Sequence, residues 1–149
     1  MRYILMAWLC LALSAPSSQD WMTDMHKATT VAHDQKKLIL LNFSGSDWCA
    51  PCVRLKKEIF QSPEFADATG SLVLVNADFP RNKKNQLSKE QQRLNDEMAD
   101  KYNAEGKFPY TLLLNAEGTV LYAWDGFPSA GKADFLKELK TKCAQNAPR

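Results

Sequence analysis

The chain has no excess of charge of one sign, no apolar run long enough to cross a membrane, few cysteines and only two histidines. The charge balance, 19 Lys and Arg against 17 Asp and Glu for a net +2, leaves no electrostatic footprint for nucleic acid or for a strongly anionic membrane. The apolar stretch Tyr3 to Leu13 falls well short of the roughly 20 residues that a spanning helix needs. His26 and His33 lie seven residues apart on a helical segment. That is about 10 Å along the axis, too far for them to share a metal. There is no internal repeat, and no low-complexity tract beyond a short polar tail. With 149 residues, 45% of them hydrophobic, one globular domain can bury a core without metals or multiple disulfides.

What is present starts with Arg2, the apolar run to Leu13, and the small or polar residues Ser14-Ala15-Pro16-Ser17-Ser18. This is the layout of a secretory signal peptide. It predicts a leader at 1–17 that carries Cys10 away, a domain at 18–149, and a periplasmic or secreted protein. An uncleaved N-terminal anchor is the alternative, and would be the chain's one membrane contact. Thiols outside the cytosol are usually oxidised unless an enzyme manages them. The mature chain keeps Cys49, Cys52 and Cys143, an odd set that makes no simple disulfide framework. These cysteines read as chemistry rather than scaffolding.

Apolar spacing predicts a helix over 22–35, capped by Thr23 or Asp20. Leu38-Ile39-Leu40-Leu41-Asn42-Phe43 and Leu72-Val73-Leu74-Val75-Asn76 are continuous apolar runs of strand length, the pattern of strands covered on both faces. Between them an amphipathic helix starts at Pro51, and Ser62-Pro63-Glu64 caps a short element ended by Gly70. Ser88-Lys89-Glu90-Gln91 reads as a capping box for a helix with Leu94, Met98 and Tyr102 on its buried stripe. Two strands, Tyr110 to Leu114 and Val120 to Trp124, flank the turn Asn115-Ala116-Glu117-Gly118, and a last helix runs from Ser129 to about Cys143. This order implies an α/β mixed sheet with helices on both faces. In such sheets chemistry sits at the carboxyl ends of the strands, which is where SDWCAPC lies.

Cys49 falls at the start of a helix, where unpaired N–H groups and the macrodipole favour a thiolate. Pro51 suits that first turn, and Cys52, nearly one turn later, is expected to be the more buried. Cys49 is then the attacking thiol and Cys52 the resolving one. Lowering a thiol pKa from about 8.5 to about 7 raises the thiolate fraction from about 3% to about 50% at neutral pH. The accompanying loss of nucleophilicity leaves a net gain of about threefold. The larger benefit is that Cys49 becomes a good leaving group. As a mere staple, the pair would close so small a loop that it contributes only about 2 kcal/mol. A zinc site would need about four ligands, and no second pair stands at ligand spacing. Redox chemistry is therefore the leading reading, with metal binding and a structural crosslink as alternatives.

Trp48-Cys49-Ala50-Pro51-Cys52 after an apolar strand, Phe108-Pro109 before the next strand pair, and Gly126 after the last strand resemble the thioredoxin-fold family. Lys36-Lys37, Asp47-Trp48 and Ser62-Pro63 look most like exported thioredoxin-like proteins and the C-terminal domain of bacterial thiol:disulfide interchange proteins. The resemblance implies a thioredoxin fold with an extra helical insertion ahead of a cis-proline at Pro109. It also implies catalytic Cys49 and Cys52, and a substrate groove shaped by Trp48, Ala50, Pro51, Phe108 and Pro109. The implied activity is an exported thiol-disulfide oxidoreductase, reducing or isomerising, because Ala50-Pro51 keeps the proline of reducing thioredoxins and lacks the histidine of strong oxidants. Its partners would be protein thiols or disulfides and an upstream redox protein. A monomer without cofactor or metal is expected. The alternative is a non-catalytic chaperone or adaptor that binds extended polypeptide at the Pro109 groove, with a metallochaperone third.

Two departures from the family stand out. Asn42 occupies the place of a buried Asp thought to relay the proton of the resolving cysteine, and an amide cannot accept it. Leu74 is aligned with the lysine that accompanies that acid. Asp47 is a candidate substitute acceptor, against the plainer reading of a solvated loop acid. The segment from Arg81 to Glu97 is long enough to border the active face and select partners. Cys143 reads as a small packed hydrophobe, with an accessory redox thiol as the alternative.

Overall fold

The structure is a computed structural model that describes residues 19–148. The leader at 1–17 and Cys10 lie outside the described residues. Five strands pair in the order β1-β3-β2-β4-β5: β1 Trp21–Met22, β2 Leu38–Ser44, β3 Leu72–Asp78, β4 Tyr110–Leu114 and β5 Val120–Asp125. The first three run parallel and the β2–β4 and β4–β5 pairs antiparallel, giving the mixed sheet the sequence implies. The run Leu38 to Phe43 is buried throughout because β2 is central and covered on both sides.

Alternation along the strands divides the core in two. Leu38, Leu40, Leu72, Leu74, Leu113 and Trp124 point to one face. There they pack with residues of α2 (Ala50–Leu55), α3 (Pro63–Thr69) and α5 (Lys132–Gln145). Ile39, Leu41, Phe43, Val73, Val75, Ala77, Leu112 and Leu114 point to the other. They meet Ala28 and Ala32 of α1 (Met25–Gln35) and Met98 of α4 (Lys89–Tyr102). α2 continues into a π-helical turn over Lys56–Phe60, closed by Gln61 N–H donating to Lys56 C=O at 2.9 Å. The wider turn lets Leu55, Ile59 and Phe60 all reach the core.

Three local expectations need correction. The first helix starts at Met25, not Met22, because the Asp24 carboxylate accepts the His26 and Lys27 N–H groups. The residues before it, Trp21 and Met22, instead pair with Leu74 and Val75 as an edge strand. The capping box at Ser88 is only half formed. Ser88 Oγ accepts from Gln91 N–H at 3.1 Å, while the Gln91 amide donates to Thr23 C=O and Asn95 Oδ1. The last helix begins at Lys132, after Gly131, rather than at Ser129.

Candidate active site

Leaving β2, the chain turns through residues 45–48 and enters α2 with Cys49 as its N-cap, at φ −95° and ψ 96°. Cys49 N–H donates to Gly45 C=O at 2.9 Å, and Cys49 C=O accepts from Val53 N–H at 3.1 Å. Cys49 and Cys52 are joined by a disulfide with Cα atoms 5.2 Å apart. Cys52 N–H points at Cys49 Sγ, 3.3 Å away. The expected difference in burial between the two does not appear, since Cys49 is 5% and Cys52 3% exposed. The crosslink holds both sulfur atoms side by side at the helix start. Ala50 and Pro51, in the first turn, are exposed beside them.

The three residues before Cys49 each grip the end of β3 or the segment that follows it. Ser46 donates to the Asp78 carboxylate from its N–H at 2.9 Å and its hydroxyl at 2.6 Å. Asp47 accepts from the Arg81 and Asn82 N–H groups, each at 2.9 Å, and from the Asn85 amide at 3.0 Å. Trp48 Nε1 donates to Phe79 C=O at 2.7 Å. These donors hold the Asp47 carboxyl below the usual carboxylate range, the Arg81 N–H first and the Asn85 amide second. Asp47 is thus neither a loose solvated acid nor a free proton acceptor. It is the clasp of the loop. Gly45 is required at its position because a Cβ there would run into the Trp48 indole.

The Phe108–Pro109 peptide bond is cis, and it precedes β4 at the edge where β2 ends, since Phe43 pairs with Tyr110. Pro109 is buried, and its C=O accepts from Gly126 N–H at 2.9 Å. The N–H and C=O of Phe108 have no main-chain partner among the described residues. Its ring meets Trp48 and Phe79 edge-on, with centroids 5.4 and 5.6 Å away. Upstream, the Asn103 amide fixes the approach by exchanging two hydrogen bonds with Lys107 main chain, each at 2.8 Å. Trp48, Phe79 and Phe108 therefore form one aromatic wall beside the disulfide.

Asn42 lies on the sheet face that α2 covers. Its amide donates to Asn76 Oδ1 at 2.9 Å, and its carbonyl accepts from Thr111 Oγ1 at 2.9 Å. The residue opposite Asn42 on β3 is Asn76, and Leu74 pairs with Leu40 one step earlier on that face. Asn76 and Thr111 belong to none of the site motifs in the sequence. A signal did exist, because LILLN and LVLVN are the same pattern of four apolar residues and an asparagine, and they sit in register. Cys143 is half-buried against the core on the α5 side, and burial pushes its thiol pKa up. Among the described residues no cluster of three His, Cys, Asp or Glu side chains is placed to hold a metal.

Residues 20–116 match the family profile described as thioredoxin-like. The disulfide bond reductase DsbH of Chlamydia pneumoniae is 39% identical over 106 residues, which cover 70% of this chain and 61% of that protein. The chain thus spans less than two thirds of this curated relative's length. The solved structure of a DsbH oxidoreductase superposes with a TM-score of 0.76 at 32% identity, covering 86% of either chain. The oxidised C-terminal domain of Neisseria meningitidis DsbD shares the fold, with a TM-score of 0.53 at 18% identity over 83% of this chain and 99% of that one. With a mixed sheet of thioredoxin topology and this extent of similarity, the chain belongs to the thioredoxin-like family.

Proposed function

We propose that the protein is an exported thiol-disulfide oxidoreductase that reduces or isomerises protein disulfides through Cys49 and Cys52. The observation that carries this is the disulfide at the N-cap of α2, with the Cys52 N–H aimed at Cys49 Sγ. In the reduced couple, that N–H and the helix start stabilise a Cys49 thiolate. The thiolate attacks one sulfur of a substrate disulfide. A Cys49–substrate bond forms, the substrate S–S bond breaks, and the departing thiolate takes a proton. Cys52, deprotonated, then attacks Cys49 Sγ and releases the second substrate thiolate, which is protonated in turn. Two electrons and two protons have passed to substrate, and the Cys49–Cys52 bond has closed. A dithiol protein upstream returns the electrons.

The proton of Cys52 leaves through water in this scheme. Asn42 cannot take it, and the carboxylate of Asp47 is engaged by the loop. Trp48, Ala50, Pro51 and Phe108 border the entering segment, and Pro109 backs it from beneath. The N–H and C=O of Phe108, without a main-chain partner among the described residues, suit an extended chain, whereas the Pro109 carbonyl is held by Gly126. The reducing direction is supported by Ala50-Pro51 and by the name of the DsbH relative. Export is supported by the leader pattern and places the protein in the periplasm or outside the cell. A Cys52→Ala variant incubated with oxidised insulin should accumulate a covalent adduct at Cys49 that dithiothreitol releases. An adaptor that binds without exchange would give no adduct, and that result would sink the proposal.

A further inference from the structure

The loop that Asp47 clasps carries Arg81, Lys83 and Lys84, three cations within four residues, all exposed. Its shape is set from both ends. Asp47 binds the Arg81 and Asn82 N–H groups and the Asn85 side chain, while Lys83 and Lys84 occupy a 3-10 turn between those anchors. The Arg81 guanidinium lies over the Trp48 ring, 3.6 Å from its centroid, so a fixed positive charge stands one residue from Cys49. Among the described residues none of the three cations pairs with a carboxylate. The carboxylates of Asp47 and Asp78 bind the loop main chain and Ser46 rather than these cations, which leaves the loop with three cations against two acids. On the other flank of α2, Arg54 stands over Phe127 but is bridged to Glu58 at 2.8 Å. Of the two guanidinium groups stacked on rings here, Arg81 on Trp48 is therefore the one without a carboxylate partner among the described residues.

We infer that this wall selects substrates, favouring disulfides flanked by acidic residues in an extended polypeptide segment. The inference rests on the exchange activity proposed above and names the class of substrate for it. Aromatic faces supply sequence-tolerant contact. A guanidinium held over Trp48 is pre-set to meet a carboxylate without first being ordered. The two lysines extend the positive field along the loop, which favours encounter with an acidic chain and disfavours a basic one. Such a field is screened by salt, with a Debye length of about 10 Å at 0.1 M.

The test uses reduced, desalted enzyme in single turnover against three cyclic disulfide peptides that differ only in flanking Glu, Ser or Lys residues. At low ionic strength the Glu-flanked peptide should react about tenfold faster than the Lys-flanked one. The ratio should fall as salt is added and approach one in the triple variant Arg81→Gln/Lys83→Gln/Lys84→Gln. Because each ratio is taken within one enzyme, a general loss of activity in the variant cancels. Reduction of uncharged bis(2-hydroxyethyl) disulfide by the wild-type enzyme reports the exchange activity by itself. If that disulfide is reduced but the wild-type ratio lies within twofold of one, or the triple variant keeps the ratio, the selectivity inference falls and the activity stands. If no disulfide is reduced, both fall.

Discussion

On the sheet face packed by α1 and α4, the strands stay apolar to their last shared rows, ending in Phe43 and Ala77. On the face packed by α2, α3 and α5, the same strands change after Leu40, Leu74 and Leu113 to Asn42, Asn76 and Thr111. An unpaired buried amide or hydroxyl costs about 1–3 kcal/mol. The three side chains avoid that cost by bonding to one another across β3, β2 and β4. Farther back on this face the loss of apolar area is offset by aromatic packing. Phe60 lies 5.0 Å from Trp21 and 4.9 Å from Phe65. The contrast teaches that the row Asn42, Asn76 and Thr111 on the cysteine-helix side is polar yet holds no titratable side chain. None of these three groups can take a proton from Cys52.

Breaking the apolar side of this contrast should have the largest effect. Phe65→Ala, at a position with no exposure, is expected to lower the unfolding free energy by about 3–5 kcal/mol in a urea titration, without moving the pH dependence of turnover. Thr111→Val removes the donor to Asn42 Oδ1 and should cost about 1–3 kcal/mol in the same titration. An unchanged midpoint would mean that the polar row contributes nothing to stability.

Asn42→Asp sharpens the contrast by adding the titratable group that the row lacks. Burial would raise that carboxyl above its unfolded value near ~3.9. The variant should then match the wild type in stability below about pH 4 and lose stability as pH rises toward its folded pKa, by about 1–3 kcal/mol. Its rate profile should gain one ionisation absent from the wild type, and a superimposable profile would contradict the placement of Asn42 under the site. The smallest effect concerns Asp47. Its folded pKa is lowered, so its contribution is present above the unfolded value and is lost as pH falls through the folded one. The Arg81 and Asn82 amide resonances should therefore shift below about pH 4 in the wild type and stay still in Asp47→Asn.

Much of this architecture is legible in local pattern. Continuous apolar runs mark β2 and β3, period-3.6 stripes mark the helices, and the spacing of Cys49 and Cys52 after a buried strand locates the site. What escaped depends on pairing between distant segments. β1 has two residues and no period of its own. The partner of Asn42 follows from the β2–β3 register, and the role of Asp47 follows from donors 34 to 38 residues farther along the chain. The half-formed capping box has the same cause, since Gln91 finds its acceptor on Thr23.

The central claim is that Cys49 is the nucleophile of a disulfide-exchange couple. Insulin reduction by dithiothreitol, followed by turbidity with wild type, Cys49→Ser and Cys143→Ser, tests it most directly. Acceleration is expected with the wild type and with Cys143→Ser, and the uncatalysed rate with Cys49→Ser. Acceleration that persists in Cys49→Ser would contradict it.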